Sequence, residues 1–200
     1  TSAPAALVSV LNDYLDRVVA LIYNEHGYVD KFIGDAGMAF WGAPIPQKDH
    51  VDRALRTAIL YPEMIERFNT YARNKYQIQT TLHGRIGVHT ARVIVGNIGS
   101  HQRHNYTAIG DGVNLAARLE SLCKMYNLRI LISEDALSKA TSPFPGIFEV
   151  DRVQVKGRGS ATRIYSQVSP ELEREIPAYE EGLRHYYVAR WKEAMACFSM

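Results

Sequence analysis

The side chains of this sequence that could do chemistry are few and scattered. In "YTAIGDGVNLAARLE", Tyr106 to Glu120, the run Gly110-Asp111-Gly112 precedes a stretch of helical apolar spacing that carries an amide, Asn114, and a guanidinium, Arg118. A separation of four puts these two on one helical face, one turn apart. Upstream, "VDKFIGDAGMAFWG" holds Lys31 and, four residues on, Asp35 in a Gly-Asp turn. Thr107 stands just before the helix, Arg85 opens "RIGVHT", and Lys156 lies in "VKGRG". Together these types offer hydrogen-bond donors, positive charge and one carboxylate.

Each also has a plain reading. Asp35 is a turn former by type, and Lys31 a solvated lysine on the polar face of a strand. Thr107 reads as a β-branched loop residue, and Asn114 and Arg118 as a helix-start amide and a solvated arginine. Arg85 and Lys156 read as strand-end cations, with Arg152 and Arg158 close competitors of Lys156. Asp111 and its flanking glycines read as the cap and turn that start the helix. His101 and His104 in "HQRH" have a spacing that metals use, yet a pair in a polar loop is seldom a zinc site, and neither is taken as a ligand.

The elements that must position these residues alternate. Leu7, Val10, Leu11, Tyr14, Leu15, Val18, Val19 and Ile22 recur at helical spacing between Pro4 and Gly27, predicting a helix over roughly 4–25. Two short apolar segments around Gly34 predict a hairpin that turns near Gly34-Asp35. From Asp49 a long helical pattern runs through Val51, Leu55, Ala58, Ile65, Phe68 and Tyr71, and Pro62 is expected to kink or break it. "IQTTLHGRIGVHT" and "ARVIVGNIG" read as a strand pair, followed by a loop and then a helix ending near Tyr126. The strand "LRILIS", a short helix from Glu134 and the strands "FEVDRVQVKG" and "TRIYSQV" complete an α+β arrangement, helices over one mixed sheet. From Pro170 the chain reads as helical, with Tyr179, Leu183, Tyr186, Trp191, Ala194 and Phe198 at spacings that resemble the start of a tetratricopeptide repeat. The expected division is therefore a domain over 1–168 and a helical tail over 169–200.

Composition excludes several classes of function. With 46% hydrophobic and 22% charged residues in 200, the chain can bury one sizeable core. A net charge of +2, without a basic run interleaved with aromatics, gives no footprint for a nucleic-acid backbone. No apolar stretch is long enough to span a bilayer, so a membrane is expected only through segments outside this chain. Cys123 and Cys197 lack zinc or redox spacing and are expected to be buried thiols of a cytoplasmic protein. The chain opens on Thr1 rather than Met, as a piece of a longer protein would.

Four blocks, "VDKFIGDAGMAFWGAP", "GRIGVHTARVIVGNIG", "NYTAIGDGVNLAARLE" and "VKGRG", in this order and at these distances, resemble the class III nucleotidyl cyclase catalytic domain. The resemblance covers residues 1 to about 168. It implies a ferredoxin-like βαββαβ core and a head-to-tail homodimer with composite active sites. The implied reaction turns ATP into 3′,5′-cyclic AMP and pyrophosphate by attack of the ribose 3′-hydroxyl on the α-phosphate, with two Mg²⁺ or Mn²⁺ ions assisting. It makes Asp35 a metal carboxylate, Lys31 and Thr107 the readers of the base, Asn114 the ribose contact and Arg118 the α-phosphate contact, with Arg85 and Lys156 on the triphosphate. An ammonium is a pure donor and suits adenine N1, whereas guanine N1 carries a hydrogen; a threonine hydroxyl can accept from the adenine N6 amino group. Relatives that make cyclic GMP usually carry glutamate and cysteine or similar at these two positions, so the pairing here resembles bacterial adenylyl cyclases.

The family's first strand, with a metal-binding aspartate in an FxDIxGFT motif, has no counterpart in this sequence. With Asp35 alone of two expected carboxylates, residues 1–200 are expected to turn ATP over little or not at all. Two readings compete with a catalytic domain: a non-catalytic cyclase-homology module that dimerises and regulates a partner, and, without the resemblance, an α+β binding domain with a helical repeat tail.

Overall fold

Two long helices form one flank of the molecule. The computed structural model of the chain describes residues 4–100, 102–154 and 161–199. Helix α1 (Pro4–Asn24) packs on α2 (His50–Tyr76), with Val10, Phe68 and Ala72 buried between them and Tyr14 tilted against Phe68. Helix α2 runs through Pro62 without a break, against the expectation. A proline there leaves the Ala58 carbonyl without its i+4 donor, a cost of about 3 kcal/mol in an unsupported helix. Both halves of α2 are anchored, however: Val51, Leu55 and Ala58 bury against Val88, Ile130 and Ile132, and Phe68 and Ala72 bury under α1. Packing on both sides of the proline outweighs one missing bond.

The strands fall into three sheets rather than the single mixed sheet expected. Strands β1 (Tyr28–Ile33) and β2 (Ala36–Phe40) form an antiparallel hairpin that turns at Gly34-Asp35, where Gly34 takes φ +67°. A second hairpin pairs β4 (Ile94–Ser100) with β5 (Arg103–Ile109). The central sheet has the order β3-β6-β8-β7, made of Ile86–Val88, Ile130–Ser133, Thr162–Gln167 and Ile147–Val153, with β3 parallel to β6 and the other pairs antiparallel. Its middle strand β6 is buried along its whole length. The expected pairing of "IQTTLHGRIGVHT" with "ARVIVGNIG" does not form. Only Ile86–Val88 of the first segment is a strand, and it pairs with β6, while β4 pairs with the segment that follows it.

Helix α3 (Asp111–Tyr126) covers this sheet with Leu115, Leu119 and Cys123. It comes so close to β3 that a Cβ on Gly87 would lie 2.1 Å from the Ala116 carbonyl oxygen and 2.4 Å from the Glu120 nitrogen. Gly87→Ala is therefore expected to force helix and strand apart and to lower stability by about 2–3 kcal/mol, read as a drop in the urea midpoint at unchanged slope. An unchanged midpoint would mean that α3 is not seated on β3 in solution.

A short helix α4 (Glu134–Leu137) follows β6, capped by the Ser133 hydroxyl accepting from the Ala136 N–H. The tail is a helical hairpin, α5 (Ile176–Tyr187) and α6 (Trp191–Phe198), entered through a 3₁₀ turn over Pro170–Glu175. It docks on β7: Tyr179 meets Phe148 edge-on and its hydroxyl donates to the Val150 carbonyl, while the Tyr187 hydroxyl donates to Glu149. Cys123 is buried, as expected, and burial pushes its thiol up to about 11; Cys197, on the outer helix of the tail, is only half-buried. No helix among the described residues is long and apolar enough to cross a membrane.

Candidate functional site

Aromatic packing brings the two hairpins together. Tyr28 stacks on Phe40 across the first hairpin, and the Tyr106 ring of β5 meets Tyr28 edge-on at 5.2 Å. This contact carries Lys31 to Thr107, 76 positions later, where the Lys31 ammonium donates to the Thr107 hydroxyl oxygen at 3.0 Å. Thr107 is buried in strand β5, not in a loop as its neighbours suggested.

A residue not singled out in the sequence completes this contact. The Thr107 hydroxyl donates to Asp30 Oδ2, and Lys31 Nζ lies 3.3 Å from Asp30 Oδ1. Adjacent residues of a regular strand point to opposite faces. Here the register slips between Val29 and Lys31, whose partners Ala39 and Met38 are neighbours, so Asp30 is the extra residue of a β-bulge. The bulge turns both side chains to one hydroxyl. The Asp30 side chain is fully buried, and its Oδ1 makes no hydrogen bond.

Asn114 and Arg118 lie exposed on α3, beside the buried stripe of Leu115, Leu119 and Cys123. The N-cap falls one residue earlier than expected. Gly110 is the N-cap, and Asp111 lies within the first turn without a side-chain capping bond, where its charge still suits the helix dipole. Because β5 leads directly into α3, Thr107 and Asn114 belong to one continuous strand–turn–helix segment.

Asp35 stands exposed at the tip of the first hairpin. Its charge faces the Tyr14–Tyr61 hydroxyl pair, 2.7 Å apart, and adds to the burial that raises the pKa of both phenols. No group of three or more histidine, cysteine or carboxylate side chains that could hold a metal ion occurs among the described residues. One exposed carboxylate on a tight turn does suit a hard cation that takes its other ligands from water and phosphate oxygens, as Mg²⁺ bound to a triphosphate does.

Arg85 is half-exposed, and its Nε pairs with Glu120 Oε1 on α3 at 3.0 Å. Lys156 and His101 lie outside the described residues. His104 is on the exposed edge of β5. The geometry thus unites Lys31 and Thr107 around Asp30, and sets Asn114 and Arg118 on one helix face.

A family model described as "Adenylate and Guanylate cyclase catalytic domain" matches residues 1–166. Among curated proteins, the chain is 32% identical over 204 residues to the terminal-differentiation-specific adenylate cyclase of Dictyostelium discoideum, covering 97% of this chain and 9% of that protein. It is 35% identical over 170 residues to an adenylate cyclase of Anabaena cylindrica, covering 81% of this chain and 32% of that one. The chain thus spans less than a third of the length of these relatives. Among solved structures, the adenylyl cyclase CyaB from P. aeruginosa superposes with a TM-score of 0.74 at 31% identity, covering 84% of this chain and 85% of that one. The guanylyl cyclase Cya2 superposes with a TM-score of 0.71, also at 31% identity and with the same coverage.

Proposed function

Because this chain belongs to the adenylate and guanylate cyclase catalytic domain family, we propose that it is the catalytic domain of an adenylyl cyclase, which converts ATP to 3′,5′-cyclic AMP and pyrophosphate. Likeness of fold does not choose the base, since an adenylyl and a guanylyl cyclase resemble the chain about equally. The observation that carries the choice is the 3.0 Å hydrogen bond from Lys31 to Thr107. It sets a donor for adenine N1 beside an acceptor for the N6 amino group, an order that guanine, with a hydrogen on N1 and a carbonyl at C6, opposes.

The remaining roles are those that the resemblance to the family implies. Asn114 orients the ribose, and Arg118, one turn on, offsets charge that develops on the α-phosphate as the 3′-hydroxyl attacks and pyrophosphate leaves. Arg85 and Lys156 hold the triphosphate. Asp35 is the residue that would hold Mg²⁺ or Mn²⁺, one or two ions, whose charge there would favour ionisation of the 3′-hydroxyl and neutralise the leaving pyrophosphate. No side chain is needed as a covalent nucleophile, so positioning and charge account for the catalysis.

The site is read as composite. In a head-to-tail homodimer Lys31, Thr107, Asn114 and Arg118 come from one subunit, and Asp35 and Arg85 from the other. Exposed apolar side chains beside the site, Ile33 at the first hairpin and Ile94 with Ile109 across the second, supply surface that a second copy would cover.

The test is a swap of the base readers in the full-length protein. Lys31→Glu with Thr107→Cys is expected to cut kcat/KM for ATP by about 10²-fold or more and to shift the ratio toward GTP, measured as cyclic AMP and cyclic GMP formed. Wild-type protein that makes cyclic GMP faster than cyclic AMP would overturn the assignment.

A further inference from the structure

The arrangement around Asp30 goes one step beyond the roles of Lys31 and Thr107, and rests on the reading of those two as the contacts to the base. We propose that Asp30 is a specificity-positioning residue, whose buried carboxylate fixes the hydrogen of the Thr107 hydroxyl and holds the Lys31 ammonium beside it, so that the pair presents an acceptor and a donor in the order adenine needs.

The argument is a count of donors and acceptors. A threonine hydroxyl has one hydrogen and two lone pairs, and an ammonium has three hydrogens. The Thr107 hydrogen goes to Asp30 Oδ2, and one of the hydroxyl's lone pairs takes the Lys31 hydrogen bond. Of the Lys31 hydrogens, one goes to Thr107, and the ammonium lies 3.3 Å from Asp30 Oδ1 as an ion pair. What remains for a ligand is one acceptor on Thr107 and, on Lys31, donors only, the complement of adenine N6 and N1. Asp30 itself is fully buried and offers no surface to a base, so it acts only through its two neighbours.

Without this carboxylate the hydroxyl is ambivalent. A serine or threonine hydroxyl rotates to suit its partner, so a Thr107 whose hydrogen is no longer held could donate to guanine O6. Discrimination needs a penalty against the wrong ligand as well as contacts to the right one. Here Asp30 supplies the penalty, since the Thr107 hydroxyl hydrogen is already committed. The β-bulge is the structural cost of this device. A regular β1 would send Asp30 to the face opposite Lys31, and only the slip between Val29 and Lys31 lets two consecutive side chains converge.

The test is Asp30→Asn in the full-length protein, with kcat/KM measured for ATP and for GTP. The asparagine keeps the shape of the side chain, and its amide hydrogens can donate to the Thr107 oxygen and free the hydroxyl hydrogen. The ATP-to-GTP ratio is expected to fall about tenfold or more, chiefly by a gain with GTP. The same substitution added to Thr107→Val is expected to change the ratio less than about twofold, because the hydroxyl it controls is gone. A ratio that stays at the wild-type value, including an equal loss with both nucleotides, would overturn the proposal while leaving the roles of Lys31 and Thr107 intact. Wild-type preference for GTP would instead overturn those roles. Should Asp30→Asn not accumulate in folded form, Asp30→Ser, shorter and without a charge, gives the same comparison with the same two outcomes.

Discussion

Arg118→Ala in the full-length protein should lower kcat for cyclic AMP formation by about 10²–10³ while changing KM for ATP by less than about threefold. A fixed cation aimed at charge that appears only in the transition state contributes to turnover and little to ground-state binding, and loss of one such preorganised partner typically has this size. Stability does not confound the measurement. Arg118 is exposed on α3, beside the stripe of Leu115, Leu119 and Cys123 whose burial seats the helix on the sheet. Thermal unfolding of Arg118→Ala should therefore match wild type closely, as for most exposed substitutions. A loss below tenfold, or one carried entirely by KM, would remove Arg118 from the reacting phosphate and leave it a binding contact.

What could be read from the sequence follows the range of the signal. Helix α1, the hairpin around Gly34-Asp35 and the strand "LRILIS" are each declared by local periodicity and turn residues, and each forms within a residue or two of its expected place. Interactions that span the chain left no such mark. Strand β3 pairs in parallel with β6, more than 40 positions away, while "ARVIVGNIG" pairs forward with "RHNYTAI", which makes the loop around Thr107 a strand. Pro62 carries a local signal to break, and burial on both sides of it overrides that signal.

Within the candidate site, the same division holds. The spacing of Asn114 and Arg118 is a property of one helix and was legible as such. The meeting of Lys31 with Thr107 was not readable from pattern, and entered only through resemblance to a family. Asp30 escaped both routes: strand alternation assigns it to the face away from Lys31, and a bulge has no sequence signature in "YVDKFI" beyond an unexpected buried carboxylate.

Mixing two inactive variants gives the strongest test of how the site is assembled. Asp35→Ala and Arg118→Ala, each expected to be nearly inactive as a homodimer in the full-length protein, should recover activity when their subunits are allowed to exchange. Asp35 sits at the hairpin tip and Arg118 on α3, and the composite reading assigns them to different subunits of each site. A head-to-tail dimer has two equivalent sites, so a heterodimer gathers both lesions into one site and leaves the other wild type. Random assortment makes about half of all dimers heterodimers, each with one working site, so roughly a quarter of wild-type activity should return if the sites act independently. Recovery should rise with exchange time and stop at that ceiling, measured as cyclic AMP formed per total subunit. If exchange is shown directly, for example by energy transfer between differently labelled subunits, and no activity returns, Asp35 and Arg118 serve the same site from one chain. The same outcome would leave the exposed apolar surface at Ile33, Ile94 and Ile109 without the role given to it, because covering that surface with a second copy would no longer complete a site.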